Sequence, residues 1–251
     1  MTRILITGGA GYIGSRLALS LSNSMYDKVD IIDTFKYDQA DLVVPALLQR
    51  HNIKIFKQDI RDIDRTDVQN YNVIIHLAAL VGAPICQKYV KEATDVNYRA
   101  VQSLVRLMDD NQRIIFFNTN SGYGTQPSDV ICTEETPLKS ISNYGRSKEM
   151  AEEVIVESGV PYIVFRLATV FGLSLRTRLD LLVNTLVHQA HYEQVMKLYN
   201  CMSLRNYVYI GDVVDAVRWA IRGGYHNEVY NLGNDSINMA KLHLAEKIGV
   251  L

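Results

Sequence analysis

The stretch Ile4-Leu5-Ile6-Thr7-Gly8-Gly9-Ala10-Gly11-Tyr12-Ile13-Gly14 decides how the rest of the chain is read. An apolar run from Arg3 to Thr7 ends on glycines, and Leu17 and Leu21 follow at helical spacing, so the segment reads as strand, loop and helix. Gly9, Gly11 and Gly14 spell G-x-G-x-x-G. Such glycines allow a tight turn and let the backbone approach a pyrophosphate, whose charge meets the free N–H groups at the start of the helix. Asp33 closes the next apolar run, about 20 residues on, where a carboxylate accepts from both ribose hydroxyls of an adenosine and repels a 2′-phosphate. The expected ligand is NAD rather than NADP.

Outward from this loop, short β-rich runs alternate with helical patterns. Arg3–Thr7, Val29–Asp33, Ile53–Lys57, Val73–Leu77, Ile114–Asn118 and Pro161–Leu167 read as strands, and Val101, Leu104, Val105 and Met108 mark a helix face between two of them. Nearly all-apolar strands joined by helices imply a parallel sheet covered on both faces. The fold class is α/β, a Rossmann-type doubly wound parallel sheet over residues 1–170, with a small C-terminal lobe over 171–251. In that lobe a helix is expected near Asp180–His188, strands near Val195–Tyr199 and Tyr207–Ile210, a helix near Asp212–Ile221 and a final helix from about Ile237. The strand Glu228–Leu232 has the option of returning to the main domain.

The 26 Lys plus Arg against 27 Asp plus Glu leave a formal charge of -1, which offers no field for a nucleic-acid backbone or an acidic membrane. Cys86, Cys132 and Cys201 show no CxxC spacing, so neither a disulfide framework nor a metal cluster is expected. No apolar run reaches the roughly 18 residues of a membrane span, and a cytoplasmic chain is expected.

Tyr144-Gly145-Arg146-Ser147-Lys148 sets a phenol and an ammonium four residues apart, on one face of a predicted helix. A nearby cation can lower a tyrosine pKa by roughly 1 to 3 units and make the phenol a general base.

Together, T-G-G-A-G-Y-I-G, Asp33 and Y-G-R-S-K resemble the extended short-chain dehydrogenase/reductases, and among them the NAD-dependent epimerase/dehydratase family acting on nucleotide sugars. The resemblance runs to about Gly233 and takes in Asp59-Ile60-Arg61-Asp62, His76-Leu77-Ala78-Ala79, Asn97, Phe165-Arg166-Leu167, Val170-Phe171-Gly172 and Arg205-Asn206-Tyr207-Val208. It implies that Tyr144 takes a proton from a sugar hydroxyl, that Lys148 holds the nicotinamide ribose and lowers the tyrosine pKa, and that Thr119 is the hydroxyl partner. It implies cofactor contacts from Gly8, Gly11, Tyr12, Ile13, Gly14, Asp33, Asp59, Ile60, Leu77, Ala78, Ala79 and Asn97. Substrate contacts are implied from Asn120, Ser121 and Arg205, the last on the nucleotide-sugar phosphates. Relatives often pair through helices flanking the sheet, which leaves a homodimer open.

Two departures from the family pattern shape the expectation. Dehydratases and decarboxylases carry an acid just after the catalytic Ser/Thr, where this chain has Asn120 and Ser121, so water elimination is disfavoured. The chain also ends inside a predicted helix while relatives continue, which implies a shortened substrate lobe. The leading expectation is an NAD-dependent nucleotide-sugar epimerase acting at C4. A dehydrogenase or keto-reductase on the same site, and a non-catalytic NAD-binding protein, are the alternatives.

Overall fold

The computed structural model describes residues 2–23, 26, 28–38, 40–127, 130–223 and 227–249. Ten strands run in chain order: β1 (Arg3–Thr7), β2 (Lys28–Asp33), β3 (Ile53–Lys57), β4 (Val73–His76), β5 (Arg113–Thr119), β6 (Tyr162–Leu167), β7 (Thr169–Phe171), β8 (Leu204–Tyr209), β9 (Glu228–Leu232) and β10 (Asn234–Ala240). Seven of them form one sheet in the order β3-β2-β1-β4-β5-β6-β9, parallel throughout. The order reverses between β1 and β4, the place where an open parallel sheet leaves a crevice at its carboxyl end.

Side chains alternate along each strand, and here both sets are apolar. Ile4, Ile6, Ile75, Ile115, Phe117, Ile163 and Phe165 pack on one face with Leu17 and Leu21 of helix Tyr12–Ser22 and with Val213, Val214 and Val217 of helix Ile210–Arg222. Leu5, Ile74, Ile114, Phe116 and Val164 pack on the other with Val101 and Leu104 of helix Ala100–Leu107 and Ala151 and Ile155 of helix Asn143–Glu157. The apolar runs of β1, β4, β5 and β6 are therefore strands buried on two sides, β3 is an edge strand with Lys54, Phe56 and Lys57 exposed, and Glu228–Leu232 is the seventh strand of that sheet, paired with β6.

A second sheet, β10-β8-β7, carries the rest of the C-terminal lobe. Its details depart from expectation. Val195–Tyr199 is not a strand, and Val195 and Tyr199 stand exposed without a ladder partner. The strand β10 occupies residues expected to begin the last helix, which instead spans Lys241–Gly249. The polar run Asn234–Ala240 has weak strand character of its own, and antiparallel pairing with β8, irregular between Asn234 and Met239, holds it extended.

Two glycines fix the crevice at its narrowest point. Gly8 has φ +71°, and a Cβ there would lie 2.6 Å from Ala78 N; at Gly14 a Cβ would lie 2.4 Å from Gly8 O and 2.7 Å from Gly9 Cα. Only hydrogen fits between the loop, the helix and the end of β4. Gly14→Ala is expected to destabilise the protein by about 1–3 kcal/mol, as overpacking against backbone does; thermal melts of variant and parent check it, and an unchanged Tm would contradict the packing described.

Candidate active site

At the carboxyl ends of β1, β2, β4 and β5 lies a cavity of about 690 Å³. Its walls include Gly8, Gly11, Tyr12, Ile13, Gly14, Asp33, Asp59, Ile60, Leu77, Ala78, Ala79, Thr119, Asn120, Ser121, Tyr144, Lys148 and Arg205. All but one of the residues expected at the site from the sequence are thus brought to one space. The exception is Asn97, which is buried behind the wall: its amide oxygen accepts from Leu80 N (2.7 Å), and its Nδ2 donates to Leu80 O (3.0 Å) and Ser147 Oγ (3.1 Å). Instead of lining the cavity, it fastens the loop after β4 to the helix bearing Tyr144 and Lys148.

The glycine loop presents the start of helix Tyr12–Ser22 to this space, with Gly11 as its N-terminal cap. A Cβ placed on Gly11 would meet only Gly8 O within 4 Å, at 3.0 Å, so a side chain there would stand in the cavity itself. Asp33 accepts from Ala10 N (2.9 Å) and Phe35 N (2.8 Å). Burial lifts its carboxyl above the usual range, and these N–H groups act against that rise. Each carboxylate oxygen keeps a further lone-pair site for a hydroxyl. A backbone cradle without side chains, a helix start and an anchored carboxylate fit a dinucleotide.

At the other end of the cavity, Thr119 closes β5 and caps a short 3₁₀ turn, accepting from Ser121 N (3.2 Å), with Ser121 Oγ 3.0 Å from its hydroxyl. Tyr144 and Lys148 sit one helical turn apart, as the spacing requires. Lys148 is buried, its Nζ 3.8 Å from the centroid of the Phe116 ring. Burial pushes its pKa down to about 7, with Glu152 acting in the opposite direction.

The expected depression of the Tyr144 pKa by Lys148 is not what this arrangement produces. Burial pushes the phenol up to about 12, and the cation that opposes the rise is Arg178, from the C-terminal lobe. A lysine that has itself lost much of its hold on a proton is a weak source of positive field.

A buried network behind the cavity wall was not legible from the sequence. Glu152 and Arg166 form a buried ion pair with the guanidinium Nη2 2.6 Å from Oε1, and Arg166 also donates to Tyr123 Oη (3.0 Å). Asn118 Nδ2 donates to Glu152 (2.5 Å), and Asn118 Oδ1 accepts from Thr119 N (2.7 Å). One carboxylate thereby joins the helix of Lys148 to the strand end of Thr119. Phe165-Arg166-Leu167 and the position of Glu152 one turn beyond Lys148 were the available signals. Among the described residues no group of three or more His, Cys, Asp or Glu could hold a metal, and no helix is long and apolar enough to cross a membrane.

A parallel sheet with a glycine loop at its switch point and a Thr/Tyr/Lys set in the same cavity defines a dinucleotide-dependent short-chain dehydrogenase/reductase architecture. The model of the NAD dependent epimerase/dehydratase family matches residues 4–233, and the chain belongs to that family. A dTDP-D-glucose 4,6-dehydratase of Dictyostelium discoideum is 26% identical over 98% of this chain and 61% of its own length. UDP-arabinose 4-epimerase 1 of Arabidopsis thaliana is 28% identical over 68% of this chain and 44% of its own. Among solved structures, the UDP-glucuronic acid 4-epimerase of Bacillus cereus, crystallised with UDP-glucuronic acid and NAD, is 26% identical with a TM-score of 0.82, over 93% of this chain and 78% of that one.

The displaced pKa of Lys148 has a consequence for stability. Folded, the lysine gives up its proton near pH 7; unfolded, near 10.5, so between these values the unfolded chain binds more protons and stability rises with pH. Below pH 7 the burial cost is felt in full. Lys148→Met is expected to raise the Tm at pH 6 by about 3 °C or more, roughly 1 kcal/mol for a chain of this size, with the gain shrinking as pH rises toward 10.5. Melting curves across that range check it.

Proposed function

We propose that the chain is an NAD-dependent epimerase of nucleotide sugars acting at C4, through transient oxidation of the sugar hydroxyl. The observation that carries the reading is the sharing of one cavity by Thr119, Tyr144, Lys148 and the glycine loop, with the neutral Asn120 and Ser121 after Thr119. A carboxylic acid at either position would supply the acid/base group that water elimination requires; an amide and a hydroxyl supply none. What is left is removal and return of hydrogen at one carbon.

Gly8, Gly11, Tyr12, Ile13 and Gly14 would hold the pyrophosphate of NAD with Ala78 and Ala79 along its phosphates, Asp33 its adenosine ribose, and Asp59 and Ile60 its adenine, with Leu77 also on the cofactor wall. NAD, when bound, supplies a hydride acceptor that gives the hydride back. Thr119 orients the sugar hydroxyl by hydrogen bonding, and Tyr144 Oη takes its proton as the carbon–hydrogen bond opens. Arg178 favours the phenolate that results. Lys148 donates to the ribose beside the reacting carbon. After the keto sugar turns its other face, Tyr144 returns the proton and the alcohol forms with inverted configuration. Arg205, exposed at the cavity rim and without an ion pair among the described residues, would hold the diphosphate of the substrate.

Two experiments test this. Small molecules released on denaturing the purified protein, read by mass spectrometry, are expected to include NAD or NADH near one per chain, as a cofactor regenerated each turnover requires; an empty protein favours a dehydrogenase that exchanges it. Tyr144→Phe is expected to lower kcat by roughly 10²-fold or more, measured as interconversion of the two epimers, and activity within twofold of the parent would remove Tyr144 from the proton step.

A further inference from the structure

Residues 172–184 leave β7 and contribute Arg176, Arg178, Asp180 and Leu181 to the cavity wall. This arm is tied to the helix that follows the glycine loop. Tyr12 Oη donates to Gly172 O (2.7 Å), Ser174 Oγ donates to Tyr12 O (2.6 Å), and Ser15 Oγ lies 2.8 Å from Ser174 Oγ. Asn184 braces it from inside, accepting from Gly172 N (3.0 Å) and donating to Arg178 O (3.0 Å).

The arm touches the cavity a second time at the loop after β2. There the Arg176 guanidinium carbon lies 4.2 Å from the centroid of the Tyr37 ring, and both residues line the same space as Asp33. Three other cations of the cavity wall have carboxylate partners: Lys36 pairs with Glu92, Arg61 with Asp59 and Arg178 with Asp180. Arg176 is half-buried and forms no ion pair among the described residues. Asp33 and Asp180 act on its charge without hydrogen bonding to it, and Asp33 accepts instead from Ala10 N and Phe35 N. A planar cation drawn partly out of water and held over an aromatic ring has N–H donors at its edge to offer to a ligand's oxygens.

We infer that Arg176 and Tyr37 form a latch over the adenosine end of the dinucleotide site, in which the guanidinium donates to oxygens of the bound dinucleotide beside Asp33 and slows its departure. The inference rests on the reading that the glycine loop and Asp33 hold NAD. Because the arm is fastened to the glycine-loop helix, the latch is held by the element that holds the pyrophosphate. Release then requires the Arg176 contact to part before the dinucleotide can leave.

The test is a release experiment on the full chain. Protein loaded with NAD carrying a fluorescent etheno-adenine is chased with excess unlabelled NAD, and the fluorescence change gives the off-rate. Arg176→Ala and Tyr37→Ala are each expected to speed release at least tenfold, with Arg176→Lys between them and the parent, because it keeps the charge and loses the planar stack. Thermal melts of each variant establish that it is folded. Off-rates within twofold of the parent for both alanine variants overturn the latch while leaving NAD binding in place. Failure of the parent to take up NAD at all overturns the cofactor reading and the latch with it. A loss of affinity for NADP alone in Arg176→Ala would assign the arginine to a 2′-phosphate and overturn the latch as well.

Discussion

A parallel sheet buried on both faces has no room for chemistry except at its ends. Interior positions of β1, β4, β5 and β6 favour apolar or partnered groups, and the chain meets that demand chiefly with Ile, Val, Leu and Phe on both faces, although His76 in β4 keeps Nε2 without a partner among the described residues. Most polar groups admitted to the interior take partners, though not at every atom: Asp30 Oδ1 has none among the described residues. Asp30 is fully buried and accepts from the Tyr71 hydroxyl at 2.7 Å, with Lys28 Nζ 2.6 Å away. Arg166, within β6, needs Glu152, Tyr123 and the carbonyl of Glu134 to satisfy its guanidinium. Breaking such a pair from one side strands a charge, a loss of about 3–5 kcal/mol in general.

The same demand organises the site. Thr119 stands where β5 stops, Leu77 and Ala78 where β4 stops, and Asp33 where β2 stops, so strand termination and ligand contact are one event. The Glu152 carboxylate then spans from the Lys148 helix to Asn118 beside Thr119, so that the two halves of the candidate machinery are linked through hydrogen bonds. A displacement of about an ångström in such groups is enough to cost orders of magnitude in rate, which gives the buried network a purpose beyond stability.

How much of this could be read in the sequence follows from how local each signal is. The glycine loop, Asp33 and the Tyr144/Lys148 spacing were legible because a turn, a strand end and a helical repeat each sit within a few residues. The hydrogen bonds of Asn97, expected as a cofactor contact, to Leu80 were not legible, because they depend on the path of a loop that no spacing encodes. Arg178 was passed over as the cation acting on Tyr144 for the same reason: it arrives from another lobe. Val195–Tyr199 has the composition of a strand, yet backbone pairing decides strands, and the partner of β8 turned out to be the polar run Asn234–Ala240.

The sheet closes late along the chain. Its sixth strand in spatial order, β6, ends at Leu167, and the strand that covers its flank, β9, begins only at Glu228. As the polypeptide leaves the ribosome, the β6 edge therefore waits, unpaired, while the whole arm, β8 and helix Ile210–Arg222 are made. An open apolar edge is a template for pairing with other chains, so during the interval between Leu167 and Glu228 the β6 edge is open to such pairing.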